Sequence, residues 1–168
     1  MKLISYKISE NKTHQIGVLE RESLYNLNVF FGDISLIELV QINNYQTQIK
    51  SFIATQDAIK HDIKNIVFLP PIPKPNSFRD AYAFREHVET CRKNRGAKML
   101  SEFDQFPVFY FSNHNAMYAN GQEIELMPDH FNKLDYELEF ALIIGKGGKN
   151  IFSKDAEQHI AGFCILND

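Results

Sequence analysis

The sequence predicts an α+β, β-rich chain in two parts: a small α+β domain over residues 1–69 and a strand-rich part over 70–168. Three observations carry that prediction. Short runs of alternating apolar and polar residues dominate both parts, which is the spacing of half-buried strands. Helical spacing is confined to a few stretches. Four of the six prolines fall in Phe68-Leu-Pro-Pro-Ile-Pro-Lys-Pro-Asn76. Proline is excluded from helix interiors and central strands, so this segment reads as a stiff extended connector and marks the domain boundary.

Taken in order, residues 3–8 and 15–19 read as strands around a turn at Glu10-Asn11-Lys12, and 24–27 as a third strand. A helix is expected from about Asp33, with Ile34, Leu36, Ile37 and Leu39 on one side. A second is expected over 45–59, where Ile49, Phe52, Ile53 and Ile59 recur at helical spacing. This first part contains no cluster of acid, base and nucleophile, and a packing or oligomerisation role fits it best. Beyond the prolines, Ser77-Phe-Arg-Asp80 reads as the start of a helix running to Asn94 and stopping at Gly96. Strands are expected over 108–111, 123–127 and 134–144, then a short helix from Ser153 and a last strand over 159–167. Gly145-Lys-Gly-Gly-Lys149 lacks the spacing of a phosphate loop and reads as a tight turn.

Composition excludes several classes. With 168 residues, 44% hydrophobic and 12% aromatic, the chain can bury a core, so it is neither a disordered tail nor a collagen-like fibre. Eighteen basic against 21 acidic residues leave a net charge of -3, which speaks against a nucleic-acid partner. Cys91 and Cys164 have neither ligand nor redox spacing and are expected as free thiols. No stretch approaches the ~20 apolar residues of a membrane span, and no signal peptide is recognisable. The expectation is a soluble, cytoplasmic protein with no membrane partner.

The residues with chemical potential lie in the second part. Along Leu134-Asp-Tyr-Glu-Leu-Glu-Phe140, strand alternation puts Asp135, Glu137 and Glu139 on one face. Carboxylates two apart on a strand are about 7 Å apart at Cα. Either the face is solvated with lysines opposite, or a hard divalent cation offsets the crowding. Asp80 has the spacing of a capping box with Ser77. His87, two helical turns on and about 10 Å along the axis, would share its helix face, which suits a base and a metal ligand in one site. Asp168 follows an apolar strand, as an edge element or at a point where the chain has been cut.

Together these pieces resemble the fumarylacetoacetate hydrolase family. The carrying residues are Arg79-Asp80-Ala-Tyr82, His87, Pro107-Val-Phe-Tyr110-Phe, Leu134-Asp-Tyr-Glu137-Leu-Glu139-Phe-Ala, Ile144-Gly-Lys, Asn150-Ile, His159-Ile-Ala-Gly162-Phe and Leu166-Asn167-Asp168, in family order from about residue 70 onward. The resemblance implies the first part of a mixed β-sheet, β-roll catalytic domain after a small N-terminal domain. It implies Mg2+ or Ca2+ held by Asp80 at a helix start, Glu137, Glu139 and Asp168, and His87 as the base that activates water. Tyr82 and Tyr110 match substrate-contacting tyrosines, and either Arg92 or Arg95 matches an arginine for a substrate carboxylate. The implied activity is C–C hydrolysis of a small-molecule 1,3-diketo acid, in which the cation holds the departing enolate, within aromatic amino acid catabolism and in a homodimer. Relatives with the same cage isomerise, decarboxylate or hydrate oxo-acids. The family domain continues beyond the Asn-Asp step with further strands, a lysine and a glutamate that partners the histidine, and Thr90 stands where some short members carry that glutamate. The expectation is therefore about half of a catalytic domain, or a non-catalytic module kept for dimerisation or binding.

Overall fold

A computed structural model describes residues 1–8, 13–55, 58–125, 128 and 134–168, which divide into two compact units, 1–73 with 118–168 and 74–117. In the first unit, β1 (Lys2–Ile8), β2 (His14–Glu20), β3 (Ser23–Asn26), β4 (Lys60–His61) and β5 (Ile66–Leu69) form an antiparallel sheet in the order β4-β3-β2-β1-β5. Alternation along β2 aims Ile16 and Val18 at one face. There they form a buried cluster with Leu27 and with residues of two short helices, α2 (Leu36–Leu39) and α3 (Tyr45–Ile53), against which the partly buried Phe31 of α1 (Asn28–Phe31) packs. Leu36, Leu39, Ile49 and Phe52 are the helical contribution to this core.

The three expected strands of the first part are present, while the turn at 10–12 lies outside the described residues. The helix expected from Asp33 starts instead at Leu36. Ser35 forms a capping box with Glu38, whose carboxylate accepts from Ser35 N at 2.8 Å. The helix expected to reach Ile59 ends at Ile53. Asn26 N donates to Ile59 O at 3.0 Å and β4 pairs with β3, so the sheet edge takes this segment from the helix. Helix α1 and strand β5 were not legible. The first is a single turn held by Asn28, whose Oδ1 accepts from Ile16 N at 2.7 Å, and the second runs into the proline segment.

The second unit corrects the largest element. Residues 77–94 do not form one helix. Residues Arg79–Ala81 are a strand, β6, antiparallel to β7 (Phe109–Phe111), and helix α4 spans only Arg85–Asn94. The ladder takes the backbone groups a helix start would need, with Tyr82 N donating to Val108 O and Ser112 N to Phe78 O. Arg79 adds to the pairing by lying over the rings of Phe109 and Phe111. The stop signal holds: Gly96, at φ 70°, donates to Lys93 O, and Ala97 N donates to Arg92 O, a Schellman end.

Back in the first unit, β8 (Leu138–Ile144) and β9 (Ile160–Asn167) form a two-stranded antiparallel hairpin with a bulge near Ile144. The strand expected over 134–144 is thus shorter at its start. Residues 123–125 form no strand, and Leu126 and Met127 lie outside the described residues. The short helix from Ser153 is a 3-10 helix, Ser153–His159. The Gly145–Lys149 run is a turn tied down by His159, whose carbonyl accepts from Gly145 N and Lys146 N. Among the described residues, no helix is long and apolar enough to cross a membrane.

Candidate functional site

The acidic face of the hairpin is built by register. Glu137 and Asp168 exchange both backbone hydrogen bonds, at 3.0 and 3.1 Å, so they stand directly opposite and point to the same face. Glu139, two residues along, shares that face and is registered against Leu166. The carboxylate oxygens of Glu139 and Asp168 come within 4.8 Å of each other. Strand β9 carries no lysine or arginine, so the opposite strand does not supply the cations that a solvated acid face would use. Glu139 is half-buried, while Glu137 and Asp168 are exposed. Asp135 stands before the ladder and takes no part in it.

Asp80 belongs to the other unit. It is buried, 8% exposed, at the middle of β6, and not at a helix start. That overturns the capping-box reading and the shared helix face with His87. Strand alternation turns Asp80 inward between exposed Arg79 and Ala81, and its register partner is Tyr110. The Tyr110 hydroxyl donates to Asp80 Oδ2. Tyr82, two residues on from Asp80, brings its ring edge-on to Tyr110 at 6.5 Å between centroids. Asp80, Tyr82 and Tyr110 therefore form one group.

Beside Tyr82 lies an open cleft of about 430 Å³, lined by Ala81, Phe103, Phe106, Pro107 and Val108. The lining phenylalanines were not singled out from the sequence, because isolated aromatics in a short 3-10 turn and the loop after it carry no periodic signal.

His87 sits on the exposed side of α4, with its Nε2 3.7 Å from Cys91 Sγ. The i, i+4 spacing could have revealed that pair. Of the two arginines, Arg92 ties down the chain after the helix by donating from Nε to Lys98 O at 2.5 Å, and Arg95 is the C-cap residue. A cavity of the first unit, about 520 Å³ between Val40, Gln41, Gly145, Lys146 and His159, lies at the opposite end of the hairpin from the acids. Gly145 lies six residue steps from Glu139 along the strand, about 20 Å.

The family described as Fumarylacetoacetate (FAA) hydrolase C-terminal matches residues 76–168. The chain is 27% identical over 188 residues to an uncharacterised protein of Staphylococcus haemolyticus, and 26% identical over 185 residues to one of Staphylococcus aureus strain USA300. Both matches take in all of this chain and 59% of the relative's length. Among solved structures, the fumarylacetoacetate hydrolase of psychrophilic Exiguobacterium antarcticum superimposes with a TM-score of 0.67 at 20% identity, over 99% of this chain and 56% of that one. At that identity the likeness establishes the fold.

Proposed function

Because the chain belongs to the fumarylacetoacetate hydrolase family, we propose that it is a metal-dependent hydrolase cleaving C–C bonds of 1,3-diketo acids of the fumarylacetoacetate or acylpyruvate type. The observation that carries this reading is the ladder that places Glu137, Glu139 and Asp168 on one face, with the Glu139 and Asp168 oxygens within 4.8 Å. Carboxylates crowded this way repel one another unless a cation offsets their charge. An all-oxygen donor set at that separation fits Mg2+ or Ca2+, whose ligands stand about 2.0–2.6 Å from the ion. Glu137, Glu139 and Asp168 would hold it, with Asp80 as the further carboxylate implied by the family. Such a cation, when bound, polarises the substrate carbonyl and offsets the negative charge that develops as the C–C bond breaks.

The chain's own side chains do the rest. His87 accepts the proton of the attacking water at an imidazole nitrogen. The Tyr110 hydroxyl orients the Asp80 carboxylate, and Tyr82 and Tyr110 line the substrate's path with rings set edge to face. Arg95 holds the substrate carboxylate in this reading, because Arg92 Nε already serves Lys98 O. The same reading takes residues 70–168 as catalytic and 1–69 as a supporting domain, in a cytoplasmic homodimer that acts in aromatic amino acid breakdown.

The test is a calorimetric titration of the full-length protein with Mg2+ and with Ca2+. The Glu137→Gln/Glu139→Gln double variant should lose at least about tenfold in affinity; unchanged binding would sink the carboxylate cage. Product analysis on a panel of acylpyruvates then checks the reaction. Cleavage into a carboxylic acid and pyruvate supports the hydrolase, and isomerised or decarboxylated products replace it.

A further inference from the structure

Helix α4 carries a thiol that the hydrolase reading does not use. Cys91 follows His87 by four residues, so the two side chains meet on one helix face, with Sγ 3.7 Å from Nε2. Cys91 is a free, half-buried thiol. A thiol becomes a strong nucleophile when a neighbouring base takes its proton. The 3.7 Å contact favours proton transfer to the imidazole during attack. Cys164 offers the contrast, since burial pushes its thiol pKa up.

We propose that Cys91 and His87 form a nucleophilic thiol site that adds α,β-unsaturated carbonyl compounds. As Cys91 Sγ forms a bond to the β-carbon, its proton passes to His87 Nε2 and the carbon–carbon π pair moves through the α-carbon onto the carbonyl oxygen. The imidazolium then returns the proton to the α-carbon and the carbonyl re-forms. The product is a thioether, with no net oxidation, no leaving group and no co-reactant. The site shares His87 with the proposed hydrolase, but the adduct needs neither a metal nor hydrolysis and is read without either.

The experiment reads adducts directly, by intact mass and peptide mapping of the purified protein exposed to substoichiometric N-ethylmaleimide at neutral pH. Cys91 should be labelled about tenfold faster than Cys164, and His87→Gln and His87→Ala should each slow Cys91 about tenfold while leaving Cys164 unchanged. Cys91→Ser should remove the fast adduct and keep the slow one. Equal labelling of the two thiols, or a Cys91 rate indifferent to both His87 variants, overturns the proposal.

Discussion

The five-stranded sheet and the β8–β9 hairpin are built from comparably apolar strands and end in opposite environments. In the sheet, Ile16 and Val18 are fully buried, because the segment that follows β3 folds back as short helices over one face. In the hairpin, Phe140, Phe163 and Ile165 remain 64%, 58% and 79% exposed, although Phe140 and Phe163 stack at 4.8 Å. Among the described residues, none after Val88 is buried. Alternation decides which face of a strand is apolar, but what covers that face is decided elsewhere in the polypeptide. The same alternation leaves the hairpin's other face to Glu137, Glu139 and Asp168.

The contrast breaks most sharply at paired core substitutions. Leu39 is fully enclosed, so Leu39→Ala should cost about 3 kcal/mol through lost burial and the cavity left behind. Phe140→Ala, on the exposed face, should cost less than about 1 kcal/mol. Urea denaturation of both variants measures the difference. Equal losses would show that the hairpin face is covered in solution.

A smaller effect comes from two strand glycines. A Cβ at Gly17 would stand 2.6 Å from Leu24 Cδ1 and 2.9 Å from Tyr25 O, and that second neighbour is backbone. Gly17→Ala should therefore force β2 and β3 apart, at about 2 kcal/mol. At Gly162, on the hairpin, an added Cβ meets nothing within 4 Å, and Gly162→Ala should change stability by less than about 0.5 kcal/mol. A similar loss at both positions would mean that strand conformation, and not packing, governs the cost.

Where the sequence could be read, a local signal matched its environment. The alternation of β1 and β2, the aromatic and apolar runs of β7 and β9, and the Gly96 stop needed only neighbouring residues. Asp80 was misassigned because Ser77-x-x-Asp80 is a valid local signal that a long-range ladder overrode: its partner, Tyr110, is thirty residues away. The helix expected to reach Ile59 fell short for the same reason, through β4 and its pairing with β3. At the candidate site, Glu137 and Glu139 sharing a face followed from period two alone. That Asp168 stands opposite Glu137 depends on hairpin register, which the residues between β8 and β9 do not announce. The Tyr110–Asp80 hydrogen bond likewise needed the β6–β7 pairing.

The smallest expected effect separates the two regions by pH. His14 begins β2 opposite Lys7, and its Nε2 is buried without a hydrogen-bond partner among the described residues. Burial, then the Lys7 ammonium, hold the imidazole below its ordinary value near 6.5, and Asp33 offsets this only in part. Between that lowered folded value and the ordinary one, the unfolded chain binds more protons at this site than the folded chain does. Stability therefore rises with pH across the window and declines as pH falls below about 6.5. Thermal unfolding should show a slightly lower midpoint at about pH 5.5 than at about pH 7, with the slope flattened in His14→Gln. The two proteins differ only at residue 14, so the difference between the two slopes isolates His14. Identical slopes would mean that the imidazole finds a proton acceptor or water in solution, and that the sheet is less tightly closed around β2 than its core residues imply.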